Sequence, residues 1–234
     1  IAIHGSFENV VGSTSNTNVV TFDGLGMFAV GDPVRISSSN GAYFVQANCT
    51  AIQDLGNGNY QLTLNQSFSV PAGSVGSNPK FGGSGYKIIN CQLNNVRSRS
   101  IICKANDGLI SGNVIQNAQE AIKLGPEIFW NESDYVWNVT ITNNTFLNCG
   151  NKGIWFTGNG ALGNKNITIR DNYFENIFQG SAIELSESRS VTVAGNTFVK
   201  IAAGYSPISI ANAADIVLLE NLATNNPSGV SLVN

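Results

Sequence analysis

The chain has 234 residues, of which 12% are charged and 42% hydrophobic, with 25 Gly and a formal net charge of −3. That length can bury a substantial core, while the acidic balance argues against nucleic acid as a partner. No apolar run approaches the ~18 residues of a membrane-spanning helix, so no membrane span is expected.

In chain order, Ile1-Ala2-Ile3-His4-Gly5-Ser6-Phe7 reads as a strand of a stacked rung, assigned to residues 1–11. Residues 12–80 break that pattern. Strand-like runs at 18–22, 33–36, 43–52 and 60–64 are punctuated by Gly, and Leu55-Gly56-Asn57-Gly58-Asn59-Tyr60 is a strong hairpin signal. This predicts a small antiparallel β-barrel inserted into the coil. From residue 81 the rungs resume and run to 234.

The resumed segment is a repeat. An alternating apolar block followed by Asn and another apolar residue recurs about every 22 to 31 residues. It reads Ile110-Ser111-Gly112-Asn113-Val114, Ile141-Thr142-Asn143-Asn144-Thr145, Ile169-Arg170-Asp171-Asn172-Tyr173, Val193-Ala194-Gly195-Asn196-Thr197 and, degraded, Leu218-Leu219-Glu220-Asn221. Cys91 takes the Asn place in an earlier copy. A second block follows each first one: Ala121-Ile122-Lys123-Leu124, Gly153-Ile154-Trp155-Phe156, Ala182-Ile183-Glu184-Leu185, Pro207-Ile208-Ser209-Ile210 and Gly229-Val230-Ser231-Leu232. Such units cannot bury their apolar faces alone and must stack. The pattern predicts an all-β, right-handed parallel β-helix. Asn113, Asn144, Asn172 and Asn196 should stack at one corner, adopting left-handed backbone and bonding along the ladder. Ile110, Ile141, Ile169 and Val193 should point inward.

Cys49, Cys91, Cys103 and Cys149 lack metal-ligand spacing and the chain has one His, so neither a metal nor a cofactor is expected. Cys91 and Cys103 could meet across one rung, as a disulfide or as two buried thiols. Sequons occur at Asn48, Asn65, Asn131, Asn138, Asn143 and Asn166, and permit glycosylation without arguing for it.

Three segments resemble glycoside hydrolase family 110, the α-1,3-galactosidases. Asn95-Val96-Arg97-Ser98-Arg99-Ser100-Ile101-Ile102 resembles its N-x-R-x-R-G-I-L segment, with Ser100 in place of the usual Gly. Trp130-Asn131-Glu132-Ser133-Asp134-Tyr135-Val136 resembles its W-[FY]-E-S-G-x-V, and Ile1-Ala2-Ile3-His4-Gly5 its I-N-V-H-G rung. The resemblance implies a secreted carbohydrate-active β-helix, related to inverting α-galactosidases. The family's Asp-Asp pair would precede Ile1. Inversion requires an acid and a base carboxyl, so the chain is expected to be incomplete for hydrolysis, and processed or a fragment.

Glu132 is the candidate catalytic carboxylate. It lies in an irregular excursion, residues 125–135, with Phe129, Trp130 and Tyr135. Trp130 and Asp134 are candidate sugar-binding residues there; Arg97 and Arg99 could fork to Glu132 or bind hydroxyls, and His4 joins them by resemblance. Lys123, Trp155 and Glu184 occupy one variable slot in successive rungs and predict an outward row suited to a glycan. The rival readings are a non-catalytic extracellular structural protein, stacking end to end because no cap precedes Ile1 or follows Val233, and a glycan-binding module.

Overall fold

The computed structural model describes residues 1–38, 44–158 and 163–226. Regular structure there is β, apart from single 3-10 turns at Pro79–Phe81 and Ile128–Trp130. The last copy of the second block, 229–232, and Val233 lie outside the described residues.

The chain winds into a parallel β-helix with three strand ladders. The first stacks Lys87–Ile89, Leu109–Ser111, Trp137–Thr142, Asn164–Arg170 and the later halves of Ile183–Ala194 and Ile208–Leu219. Its register places Ile88, Ile110, Ile141, Ile169, Val193 and Leu218 in one row. The second stacks Gln92–Asn94, Val114–Gln116, Thr145–Cys149, Tyr173–Ile177, Thr197–Ile201 and Leu222–Thr224. The third begins at Ala2–Ile3 and continues through Arg99–Cys103, Glu120–Leu124, Lys152–Phe156 and the early halves of the two long strands. Alternation decides which side chains enter: Ile110, Ile141, Ile169 and Val193 are fully buried, as the repeat predicts. Inside, Phe146, Phe174 and Phe198 stack with centroids 4.5 and 5.2 Å apart.

The repeated Asn forms the expected ladder. Asn113 Nδ2 donates to Asn144 Oδ1 (2.9 Å), Asn144 to Asn172 (3.0 Å), Asn172 to Asn196 (2.9 Å) and Asn196 to Asn221 (2.9 Å). Each Oδ1 also accepts the backbone N–H of the preceding ladder Asn. The backbone expectation is corrected by one position. The left-handed residue is the one before the buried Asn: Gly112, Asn143, Asp171, Gly195 and Glu220 have φ of +67°, +55°, +55°, +63° and +52°. The tight turn and the buried amide therefore fall to neighbouring residues. One residue turns the chain outside; the next satisfies backbone groups inside.

Residues 8–77 contribute an antiparallel six-stranded sheet in the order Glu8–Asn9, Ser74–Ser77, Pro33–Ser38, Phe44–Gly56, Asn59–Val70, Thr14–Phe22. Its strands extend several residues beyond the runs legible in sequence. A bridge between Val10 and Phe22, with Val11 N donating to Thr21 O at 2.8 Å, ties its two end strands together. The sheet packs its own core of Val20, Phe22, Val34, Ile36, Leu62 and Leu64. Gly76 is needed there, since a Cβ would sit 2.2 Å from the Phe22 ring.

Arg35 fastens this sheet to the coil. Arg35 and Asp134 side chains are each 3% exposed and pair at 3.2 Å. The guanidinium also donates to Tyr135 O at 3.0 Å and lies 3.5 Å over the Trp137 ring. Phe44 meets Tyr135 edge-on, and Ser77 Oγ donates to Asp134 at 2.8 Å.

Candidate functional site

The excursion at 125–135 is ordered by its ends. Gly125, at φ +94°, starts it where a Cβ would collide with Thr157 O at 2.0 Å. Glu127 and Glu132 exchange backbone hydrogen bonds of 3.0 and 3.2 Å, closing a small loop around the Ile128–Trp130 turn. Glu132–Ser133 then pairs antiparallel with Gly5–Ser6. At the tip, Phe129 and Trp130 are 87% and 64% exposed and meet edge-to-face at 5.0 Å.

Beneath the tip lies a network of alternating charge. Lys104 is fully buried, and its ammonium bonds Glu127 at 2.6 Å and Glu132 at 2.9 Å. Lys123 pairs with Glu127 on the other oxygen. Arg99 reaches Glu120 at 3.1 Å and Glu127 at 3.6 Å. Burial pushes the Glu127 carboxyl up, but hydrogen bonds from Lys104 and Lys123 outweigh it and bring its pKa down to about 2. Burial lowers the Lys123 pKa, with Glu127 opposing that shift. Glu127 is thus an ionised clamp at neutral pH, and it holds no proton to give.

The sequence candidates divide accordingly. Glu132 and Trp130 share the loop, and Arg99 sits at its base, but Arg99 engages Glu120 and Glu127 rather than Glu132. Asp134 is buried against Arg35, turned away from the surface, so it anchors the loop. Lys123, Trp155 and Glu184 are in register as expected. The outward row needs correction at Lys123, which is buried under Glu127. Lys123 and Lys152 bracket the Trp155 ring at 4.0 and 4.1 Å, and Lys152 pairs with Glu184 at 2.8 Å. His4 is exposed beside Gly5 O, and Arg97 is exposed in the turn before the strand Arg99–Cys103. Lys104, Glu120 and Glu127 were not singled out in the sequence. The one hint was a lysine closing an apolar run at Ile101-Ile102-Cys103.

All six sequon asparagines are exposed. The side chain of Asn131 accepts Phe7 N–H, that of Asn65 accepts Asn48 N–H, and Asn166 donates to Asn138. The Cys91–Cys103 bridge is not formed: all four cysteines are free thiols.

A family model described as "Periplasmic copper-binding protein (NosD)" matches residues 72–234, and the chain belongs to that family. No curated protein matches the chain. Among solved structures, the tailspike gp61 of Pseudomonas phage phi297 shares 9% identity over 98% of this chain and 48% of its own, with a TM-score of 0.44. The tailspike gp49 of Pseudomonas phage LKA1 shares 12% over 94% and 46%, with a TM-score of 0.33. This chain spans about half the length of either tailspike, and at such identity the likeness carries no functional residue across.

The donor set does not fit copper. Among the described residues no group of three His, Cys, Asp or Glu side chains converges. Soft thiolates and imidazoles are what copper selects. Burial pushes the Cys103 and Cys149 thiols up to about 12, so both stay protonated. The family resemblance to glycoside hydrolase family 110 is not borne by these matches beyond the β-helix fold itself.

Proposed function

We propose that this chain is a carbohydrate-binding β-helix protein of the periplasm or cell exterior, with the Phe129–Trp130 loop as its contact surface. The observation that supports it is the loop: two adjacent aromatic rings stand exposed on a base fixed by buried ion pairs. Sugars stack their C–H faces on such rings, and Glu132, whose side chain is 27% exposed, supplies an acceptor beside them. A rigid base lowers the ordering cost of binding. The periplasmic part of the reading draws on the family description. In this reading residues 12–80 form a small barrel that buttresses the loop through Arg35.

The finer reading, an inverting α-galactosidase, is the weaker one. Glu127 is ionised, and Glu132 shares the Lys104 ammonium with it. Galactose release from an α-1,3-linked substrate, abolished by Glu132→Gln, would restore it. End-to-end association would add avidity, and light scattering against concentration tests it. The binding reading itself is tested by isothermal titration calorimetry with oligosaccharides. Binding that falls at least about tenfold in W130A, with unfolding unchanged, is expected; unchanged binding refutes the loop as the site.

A further inference from the structure

A groove lies at the corner between the second and third ladders, where the chain enters the strands Arg99–Cys103 and Glu120–Leu124. It is shallow and largely open to solvent, about 480 Å³, and is lined by Arg97, Asn117, Gln119, Asn148, Gly150 and Phe178 among others. These residues belong to four successive rungs, tied by backbone bonds Asn117 N to Leu147 O (3.0 Å), Gly150 N to Ala118 O (2.8 Å) and Phe178 N to Cys149 O (3.0 Å). Rungs repeat every ~4.8 Å, so the lining extends over about 14 Å. We infer that this groove binds an acidic oligosaccharide lying parallel to the coil axis, its carboxylate on Arg97 and a sugar face on Phe178.

Four features carry the inference. Arg97 is exposed into the groove and, among the described residues, makes no ion pair. The acids nearest in sequence along the same turns are engaged elsewhere: Glu120 by Arg99, and Glu175 by Tyr173 and Lys200. An anion therefore meets an uncompensated guanidinium, which favours bidentate carboxylate binding. Phe178 is 55% exposed, and its backbone N–H is held by Cys149 O at 3.0 Å just past the strand Tyr173–Ile177, which seats the ring at the edge of the groove.

The floor is small and polar. Gly150 leaves the space that the Gln119 amide fills, since a Cβ there would lie 2.7 Å from its Oε1. Asn117, Asn148 and Asn176 donate in series along the coil, Asn148 to Asn117 at 3.4 Å and Asn176 to Asn148 at 2.9 Å. One amide row per rung repeats at nearly the advance of one pyranose in an extended chain. A polar row of that period suits successive hydroxyls better than it suits a peptide, whose side chains alternate.

The inference does not rest on the aromatic loop. The test is an array of uronate- and sialate-bearing oligosaccharides with uncharged counterparts, probed with the whole chain and with R97Q, F178A and W130A. All three positions are exposed, so the fold is retained. The expected result is a preference for carboxylate-bearing glycans over their uncharged counterparts; it is lost in R97Q, where binding of the acidic set falls at least about tenfold, weakened in F178A, and retained in W130A even where that variant lowers the binding common to both sets. No acidic glycan bound, equal binding of the uncharged counterparts, or full binding by R97Q would each overturn the groove. Loss in W130A with R97Q intact would place binding at the loop instead.

Discussion

Asn144→Ala removes the middle of the buried amide ladder, and its cost can be worked out bond by bond. The Asn144 Oδ1 accepts Asn113 N and Asn113 Nδ2 at 3.0 and 2.9 Å, while its Nδ2 donates to Ile110 O, Thr142 O and Asn172 Oδ1, each at 3.0 Å. In the variant, Asn113 N–H is left buried without a partner, at about 1–3 kcal/mol. Asn113 Nδ2 keeps Ile88 O, and Asn172 Oδ1 keeps Asn144 N–H. Those remaining losses add about 1 kcal/mol together, because each group retains one bond. The total is about 3 kcal/mol. Asn138→Gly in the same rung is the control: Asn138 is exposed with φ +57°, and Gly tolerates that backbone. It should change stability by no more than about 0.5 kcal/mol. Urea unfolding measures both, read as a shifted midpoint at constant slope. If Asn144→Ala costs no more than Asn138→Gly, the ladder is not what holds the rungs in register.

Other outcomes follow from the same structure. Glu127→Gln leaves the buried Lys123 ammonium without a carboxylate and Lys104 with Glu132 alone, and should destabilise by about 3–5 kcal/mol in chemical unfolding. Because the folded Glu127 pKa is depressed from 4.5 to about 2, its stabilisation is complete above 4.5 and is lost as pH falls toward 2. The wild type should therefore lose stability across that window, and the variant should show a shallower slope there. Arg35→Ala leaves Asp134 buried and unpaired, so a cost of about 3–5 kcal/mol is expected, with faster proteolysis at the 125–135 loop. In native protein a thiol reagent should label Cys91 first, and Cys103 and Cys149 only on unfolding; early labelling of Cys103 would contradict its burial.

The coil was legible because its instructions are local and repeated. A fixed offset from each buried Ile to each ladder Asn is visible in one dimension, and stacking turns it into a row. The same offset misassigned the left-handed residue, since Asn143 and Asn144 are adjacent and either could turn the chain. Other rungs, with Gly112 and Asp171 before the ladder Asn, held the answer. The ion network was not legible. Lys104 directly follows one strand while Glu127 and Glu132 lie together on the excursion that follows the next, and no repeat in the sequence marks their meeting. Lys123 fell in a variable slot that the alternation sends outward, yet the excursion from Gly125 covers it. Arg35 is farther removed, carried on a sheet whose contact with the coil has no periodic signal.

Successive ladder asparagines are separated by 31, 28, 24 and 25 residues, yet their amides meet at nearly constant distance. The spacing of the scaffold is therefore independent of how much chain each winding carries. Surplus length is discharged at the corners, as at 125–135, without altering the step to the next layer. Such a molecule is open to cassette exchange. A corner segment can be lengthened, shortened or replaced by one of different chemistry, and the neighbouring layers remain in place to present it. Diversification can then proceed one surface segment at a time on a scaffold that is left unaltered.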